Sequence, residues 1–217
     1  MSQIISLNDH TQDAGVTAKA ARIGLALTLL GLGGAVALGY AEGDHWRLFF
    51  HAYLAAFTWA LAICIGAIMF VVIQHVVNAH WSVTVRRIAE FTAASIPWLG
   101  ILAIPLLYPV LTHHGAEEFG GLLWPWLHPH GDHAALIEHK SPWLNRDFFV
   151  IRLFLYFVVW GFLSRFFLKC SLQQDVAPEG DYSPTLRAKK VSAPAVIVMA
   201  LTLSFAAFDF LMSLAPE

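Results

Sequence analysis

The chain has 217 residues, 58% hydrophobic and only 13% charged, with a net charge of −2 and a mean hydropathy of +0.62. Soluble domains carry about a quarter charged residues, so the composition argues against a water-soluble domain and points to an integral membrane protein. The slightly negative balance without a basic run gives no reason to expect nucleic-acid binding. Cys64 and Cys170 are far apart and outside any C-x-x-C or C-x-x-C-H motif, which argues against an iron–sulfur cluster, a c-type haem or a disulfide framework.

In chain order, residues 1–21 are polar and mixed, with Asp9, Asp13 and Lys19, and read as a cytoplasmic tail. A first span follows over 22–40, where Gly31, Gly33 and Gly34 invite close helix packing. The leader with its two aspartates, and the lack of a small-residue cleavage site, argue against a signal peptide. The second span, over 48–77, is the strongest signal: no Asp, Glu, Lys or Arg occurs from Leu48 to Val85. A bilayer core about 30 Å thick needs about 20 apolar residues, which this stretch supplies with length to spare. Its far end is polar, with Gln74, His75, Asn78, His80 and Trp81. The third span, over 83–111, contains Pro97, Pro105 and Pro109 and is expected to be a bent helix with an irregular far end.

Residues 112–146 form the longest polar connection. The fourth span, over 146–170, carries Arg152 and Arg165 near its two ends, where long stems can reach the interfaces. A Pro/Gly/Asp loop over 171–190 closes on Arg187, Lys189 and Lys190, and the fifth span, over 191–214, contains Asp209. The expectation is an all-α polytopic membrane helix bundle of five spans over 22–217. Lys19, Arg22, Arg86, Arg87, Lys169, Arg187, Lys189 and Lys190 fall on one side of it; Arg47, Lys140 and Arg146 fall on the other. Basic residues favour the cytoplasmic side, so the N-terminus is expected inside and the His-rich loop outside.

Four constellations bear on chemistry. Arg86 and Glu90 are four residues apart and can pair on one helix face, with Arg87 adjacent; Glu90 can instead accept protons at the mouth of an internal pathway. His75 lies about one turn inside the same end. Its only partner for bis-histidine haem ligation within the spans, His51, is about 36 Å away along one helix, so a b-type haem is not expected. His113, His114, His128, His130, His133 and His139 lack the spacing of a zinc site, and a solvated or partner-docked loop is expected. Asp209 is the most informative residue, because a carboxylate inside a span costs about 2.5–3.5 kcal/mol on insertion scales. It is either structural, with Arg152 as counter-ion or Ser213 as neighbour, or it exchanges protons. His75, Glu90 and Asp209 are therefore the candidate proton-pathway residues, and Arg86, Arg87 and Arg152 the candidate ion-pair residues. The middles of the spans are expected to be mostly apolar.

Three runs carry a family resemblance. They are Tyr53–Glu90 with its Q-H-x(5)-W-x(4)-R-R-I-x-E ending, H-K-S-P-W-L-N-R-D-F-F-V-I-R from His139 to Arg152, and F-D-F-L-M-S-L from Phe208 to Leu214. In this order the chain resembles the F subunit of bacterial alternative complex III, which is similar to polysulfide-reductase/NrfD-type membrane subunits. Phe210 stands where the family usually has Trp, and Trp143 where it usually has Tyr, each keeping a large ring. The family continues past the D-x-x-x-S-L element with further spans, so the chain resembles its N-terminal half. The resemblance implies a cofactor-free, multi-pass subunit of a quinol-oxidising respiratory complex in the bacterial inner membrane, contributing to assembly and to proton conduction or the quinone environment. It also implies that quinol or menaquinol, haem c and iron–sulfur clusters are handled by partners: an NrfD-like C subunit, an iron–sulfur subunit and multihaem cytochrome c subunits. Half of a secondary transporter, or a membrane scaffold, is the competing reading.

Overall fold

The computed structural model describes residues 14–42, 46–79, 81–111, 123–127 and 134–214. Among these the chain forms helices and turns and no strand, an all-α polytopic helix bundle. Five segments are long and apolar enough to cross a membrane: Gly15–Ala41, Arg47–Val76, Val85–Leu111, Arg146–Asp175 and Ser183–Leu214. The chain divides into two compact units, residues 1–49 and 50–217.

The first unit holds helix α1 (Ala14–Glu42) and the start of α2 (Arg47–Val76). Helix α1 begins eight residues before the expected span, because the alanine-rich stretch from Ala14 to Ala21 is itself a strong helix former. Only 6% of its apolar window is buried, and a helix apolar on every side belongs in a bilayer rather than in water. Among the described residues nothing stands within 4 Å of a Cβ at Gly31, Gly33 or Gly34.

The second unit continues α2 and adds α3 (Val83–Ala93), α4 (Ile96–Leu102), α5 (Ile104–Leu111), α6 (Ala134–His139), α7 (Arg146–Asp175) and α8 (Ser183–Phe210). Helix α7 is its centre and packs against α3, α4, α5 and α8. The core joins Ile68, Val71 and Val72 of α2, Ile96 and Leu106, Phe149, Trp160 and Phe167 of α7, and Met199 of α8. In lipid such packing is driven by van der Waals fit, and small residues let helices close in. A Cβ on Gly161 of α7 would stand 3.5 Å from Pro97, and one on Gly100 of α4 would stand 3.3 Å from Phe157.

The third span is three helices rather than one bent helix, broken at Ala94–Ser95 and at Ala103. Pro97 and Pro105 have no N–H for the carbonyls four residues back, and their rings crowd those turns, so each break falls just before a proline. The expected loop over 171–190 shrinks to residues 176–182. Pro184 sits in the first turn of α8, where its missing N–H costs nothing, and the following basic residues are absorbed into helix. Helix α7 starts where Asn145, in extended conformation, accepts the Phe148 N–H at 2.9 Å as an N-cap.

Part of the connection expected to be polar and solvated is buried. Trp124 and Trp126 pack against Phe149 with ring centroids 5.1 and 5.5 Å away. The turn Pro125–Leu127 contacts the turn Met212–Leu214 that follows α8. Two indoles carry enough apolar area to outweigh the polarity of the surrounding chain. His113, His114, His128, His130 and His133 lie outside the described residues, as does His80.

Candidate functional site

Two buried polar clusters stand at opposite ends of α7, and the sequence predicts each end from its charges. The first centres on Asp209 in the last turn of α8, almost fully buried at 1% exposure. Arg152, one and a half turns into α7, grips it with two parallel hydrogen bonds: Nε donates to Oδ2 at 2.9 Å and Nη2 to Oδ1 at 2.6 Å. The Tyr156 hydroxyl donates to Oδ2 at 2.8 Å, and Arg152 Nη1 donates to the Trp143 carbonyl at 3.0 Å. The guanidinium also lies over the rings of Trp143 and Phe148, 4.2 and 4.3 Å from their centroids.

The three guanidinium nitrogens of Arg152 are all consumed by partners inside the protein, with the buried carboxylate as the strongest of them. Ser213 donates its hydroxyl to the Asp209 carbonyl, not to the carboxylate. The charge at this end is neutralised and the carboxylate is held from three directions.

The second cluster is looser. Glu90 of α3 is 2% exposed, with Arg86 Nε 3.4 Å from one carboxylate oxygen and Arg87 Nη1 3.6 Å from the other. The Ser171 hydroxyl of α7 adjoins it. These are Coulombic contacts: neither oxygen has a hydrogen bond of good geometry among the described residues. Arg87 spends its other nitrogen on Asp175, donating to both carboxylate oxygens at 2.7 and 2.6 Å and tying α3 to the end of α7. His75 is 6% exposed, its ring stacked on Phe167 at 5.4 Å, and its Nε2 has no hydrogen-bond partner among the described residues. Gln74 Oε1 and Arg87 Nη1 are likewise buried without a hydrogen bond among the described residues. Beside them lies a cavity of about 90 Å³ lined by His75, Arg86, Arg87, Ser171, Asp175 and Thr185, among others.

A buried polar atom normally finds a partner, and two of the residues with an unsatisfied atom, His75 and Arg87, line this cavity. Its walls are mixed, since Arg86 and Arg87 donate whereas Asp175, Ser171 and Thr185 can accept. Water, which donates and accepts, suits the set. A buried carboxylate and an imidazole beside such a cavity can take up and release protons.

Between the clusters, α7 presents Tyr156, Trp160 and Ser164 at four-residue intervals from Arg152, all buried. Trp160 donates its indole N–H to Thr202 of α8 at 2.8 Å, and Ser164 donates to the Gly161 carbonyl at 2.9 Å. The centre of this helix is thus less apolar than the sequence predicts. Tyr and Trp score as hydrophobic in composition but bring one polar atom each inside. Tyr156, Trp160, Ser171, Asp175 and Thr202 are the site residues that sequence reasoning misses; the spacing of 152, 156 and 160 is the signal that could have found the first two. His51 and His75 stand near opposite ends of α2 and are not brought together. Among the described residues no three His, Cys, Asp or Glu side chains gather where they could hold a metal ion.

The arrangement defines a class, a polytopic helical membrane protein with a closed ion pair at one end and a polar cavity at the other. No protein-family model matches the chain, and no curated protein matches it in sequence.

Proposed function

We propose that the chain is a membrane subunit of a respiratory quinol-oxidising complex similar to alternative complex III, carrying no redox centre of its own and forming part of a proton path. The observation that supports this reading is the series of polar groups along α7, from the Asp209–Arg152–Tyr156 cluster past Trp160 and Ser164 to the cavity lined by His75, Arg86 and Arg87. From Arg152 to Ser171 it covers 19 residues, or about 28 Å at 1.5 Å per residue, close to the thickness of a bilayer core. On this reading the Glu90 end, with Arg86, Arg87 and Lys169, faces the cytoplasm of a bacterial inner membrane, and residues 112–146 face the periplasm. Quinol, haem c and iron–sulfur clusters belong to the NrfD-like, iron–sulfur and multihaem cytochrome partners.

Two measurements test it. The chain, affinity-purified from its native membrane in mild detergent, should bring multihaem and iron–sulfur proteins with it; isolation of the chain without them overturns the assignment. In the assembled complex in vesicles, Glu90→Gln should lower proton release per electron while quinol oxidation continues. The bidentate grip of Arg152 on Asp209 favours a second reading for that end, a structural clamp. Asp209→Asn that impairs assembly with unchanged proton stoichiometry assigns Asp209 to the clamp.

A further inference from the structure

The outward face of α7 changes character along its length. Ile151, Phe154, Leu155, Val158 and Phe162 are exposed and apolar, as a lipid-facing stripe should be. On the same stripe Arg165 and Lys169 then follow, both exposed, before Leu172 and Val176. Neither cation makes an ion pair or hydrogen bond with any described residue. The two carboxylates at this end of the bundle with resolved ion pairs are engaged elsewhere, Asp175 by Arg87 and Glu90 by Arg86 and Arg87. Arg165, Lys169 and Gln173 recur every four residues and share one side of the helix, where they line a shallow groove of about 410 Å³ with Leu168, Leu172 and Val176.

Depth makes these charges notable. A helix of 30 residues is about 45 Å long, against a hydrocarbon core of about 30 Å. Centred in the core, α7 ends about 7.5 Å outside it at Asp175, which leaves Arg165 about 7.5 Å inside and Lys169 near its edge. Helical Cα–Cβ bonds lean toward the N-terminus, here toward the bilayer centre, so Arg165 does not escape simply by pointing outward. A charge at this depth is stabilised when its long stem reaches back to the interface and meets an anion there.

We infer that Arg165, Lys169 and Gln173 bind the phosphodiester of an anionic membrane phospholipid, whose acyl chain lies along Leu168 and the apolar stripe of α7. Charge complementarity selects the occupant: two cations and an amide donor beside aliphatic walls match one phosphate and one hydrocarbon tail. The inference rests on the membrane-spanning reading of α7.

The test uses the full chain purified in detergent, with phosphatidylglycerol and phosphatidylcholine as probes and bound lipid counted by native mass spectrometry. The unaltered protein should prefer phosphatidylglycerol at least tenfold. Arg165→Gln with Lys169→Gln should weaken its binding about 25-fold, about fivefold per cation, and Lys189→Gln with Lys190→Gln should change it less than twofold. No preference in the unaltered protein, or equal loss in both double variants, overturns the inference. So does unchanged lipid binding combined with loss of a co-purifying protein in Arg165→Glu/Lys169→Glu, since the anion is then a partner's carboxylate. Extraction with alkaline carbonate separates this from the underlying reading: a chain that stays in the membrane pellet but shows no lipid preference defeats the site alone, whereas a chain released to the supernatant defeats the span.

Discussion

Replacing Arg152 by Met is the most direct probe of the Asp209 end. Both partners are buried, with side-chain exposures of 6% and 1%, and the pair is joined by hydrogen bonds of 2.9 and 2.6 Å. Met fills much of the volume but leaves the carboxylate with only the Tyr156 hydroxyl, and it also strips the Trp143 carbonyl of its donor. Removing one member of a buried pair costs about 3–5 kcal/mol, most of it from the charge left behind. The same principle says that replacing both members by apolar residues is far milder. Arg152→Met with Asp209→Leu should therefore be less destabilised than the sum of the singles, with a coupling of about 2 kcal/mol or more. Unfolding by dodecyl sulfate in mixed micelles, followed by far-ultraviolet circular dichroism, measures all three variants. A single-variant cost below about 1 kcal/mol, or strict additivity, would refute the view that this pair is a buried clamp.

Other outcomes follow from single contacts. Tyr156→Phe deletes one hydrogen bond to a charged acceptor and should cost about 1.5–3 kcal/mol in the same unfolding assay. Asp175→Asn, at its pair with Arg87 whose side chains are 28% and 54% exposed, should cost under about 1 kcal/mol. Gly161→Ala should be tolerated, because its Cβ meets Pro97 at an ordinary 3.5 Å; Gly161→Leu should overpack the α4–α7 contact and cost about 1–3 kcal/mol. Single cysteines at Ser2, Ser141 and Ser183, in a background lacking Cys64 and Cys170, should react with an impermeant thiol reagent from outside only at 141, and labelling at 183 overturns the orientation.

The five spans were legible because the signal is large: a run of 20 apolar residues has few alternatives. The pairing of Arg152 with Asp209 was legible for a related reason, as two opposite charges in apolar spans at the same depth have little else to bind. Arg86 with Glu90 follows from helical spacing. The bond from Arg87 to Asp175 did not follow, since it joins residues 88 apart and depends on how α3 meets α7. Helix ends shifted where local preference outweighed hydropathy, at the alanine-rich start of α1 and at Pro184 in α8. The tuck of Trp124 and Trp126 against Phe149 was hidden because they sit in a His-rich connection whose average polarity masks two large rings.

The geometry of α7 itself explains why its polar line is interrupted. Each four-residue step turns about 40° past a full circle, so 152, 156, 160 and 164 drift about 120° around the helix. One more such step reaches Leu168, which already borders the outward groove holding Arg165 and Lys169. To stay on the buried face the line must shorten one step to three residues, which lands on the buried Phe167; four residues on, the half-buried Ser171 continues it. Phe167 is fully buried and stacks on His75, so the gap between the Ser164 and Ser171 hydroxyls, about 10 Å along the helix, is closed by a ring. The same rotation that brings the cations of α7 to its outward face thus puts an apolar plug on its inner face, beside the imidazole. The cavity near Glu90 and the clamp at Asp209 are separated at that plug, and a proton path between them, on the proposed function, has to pass the stacked rings of Phe167 and His75.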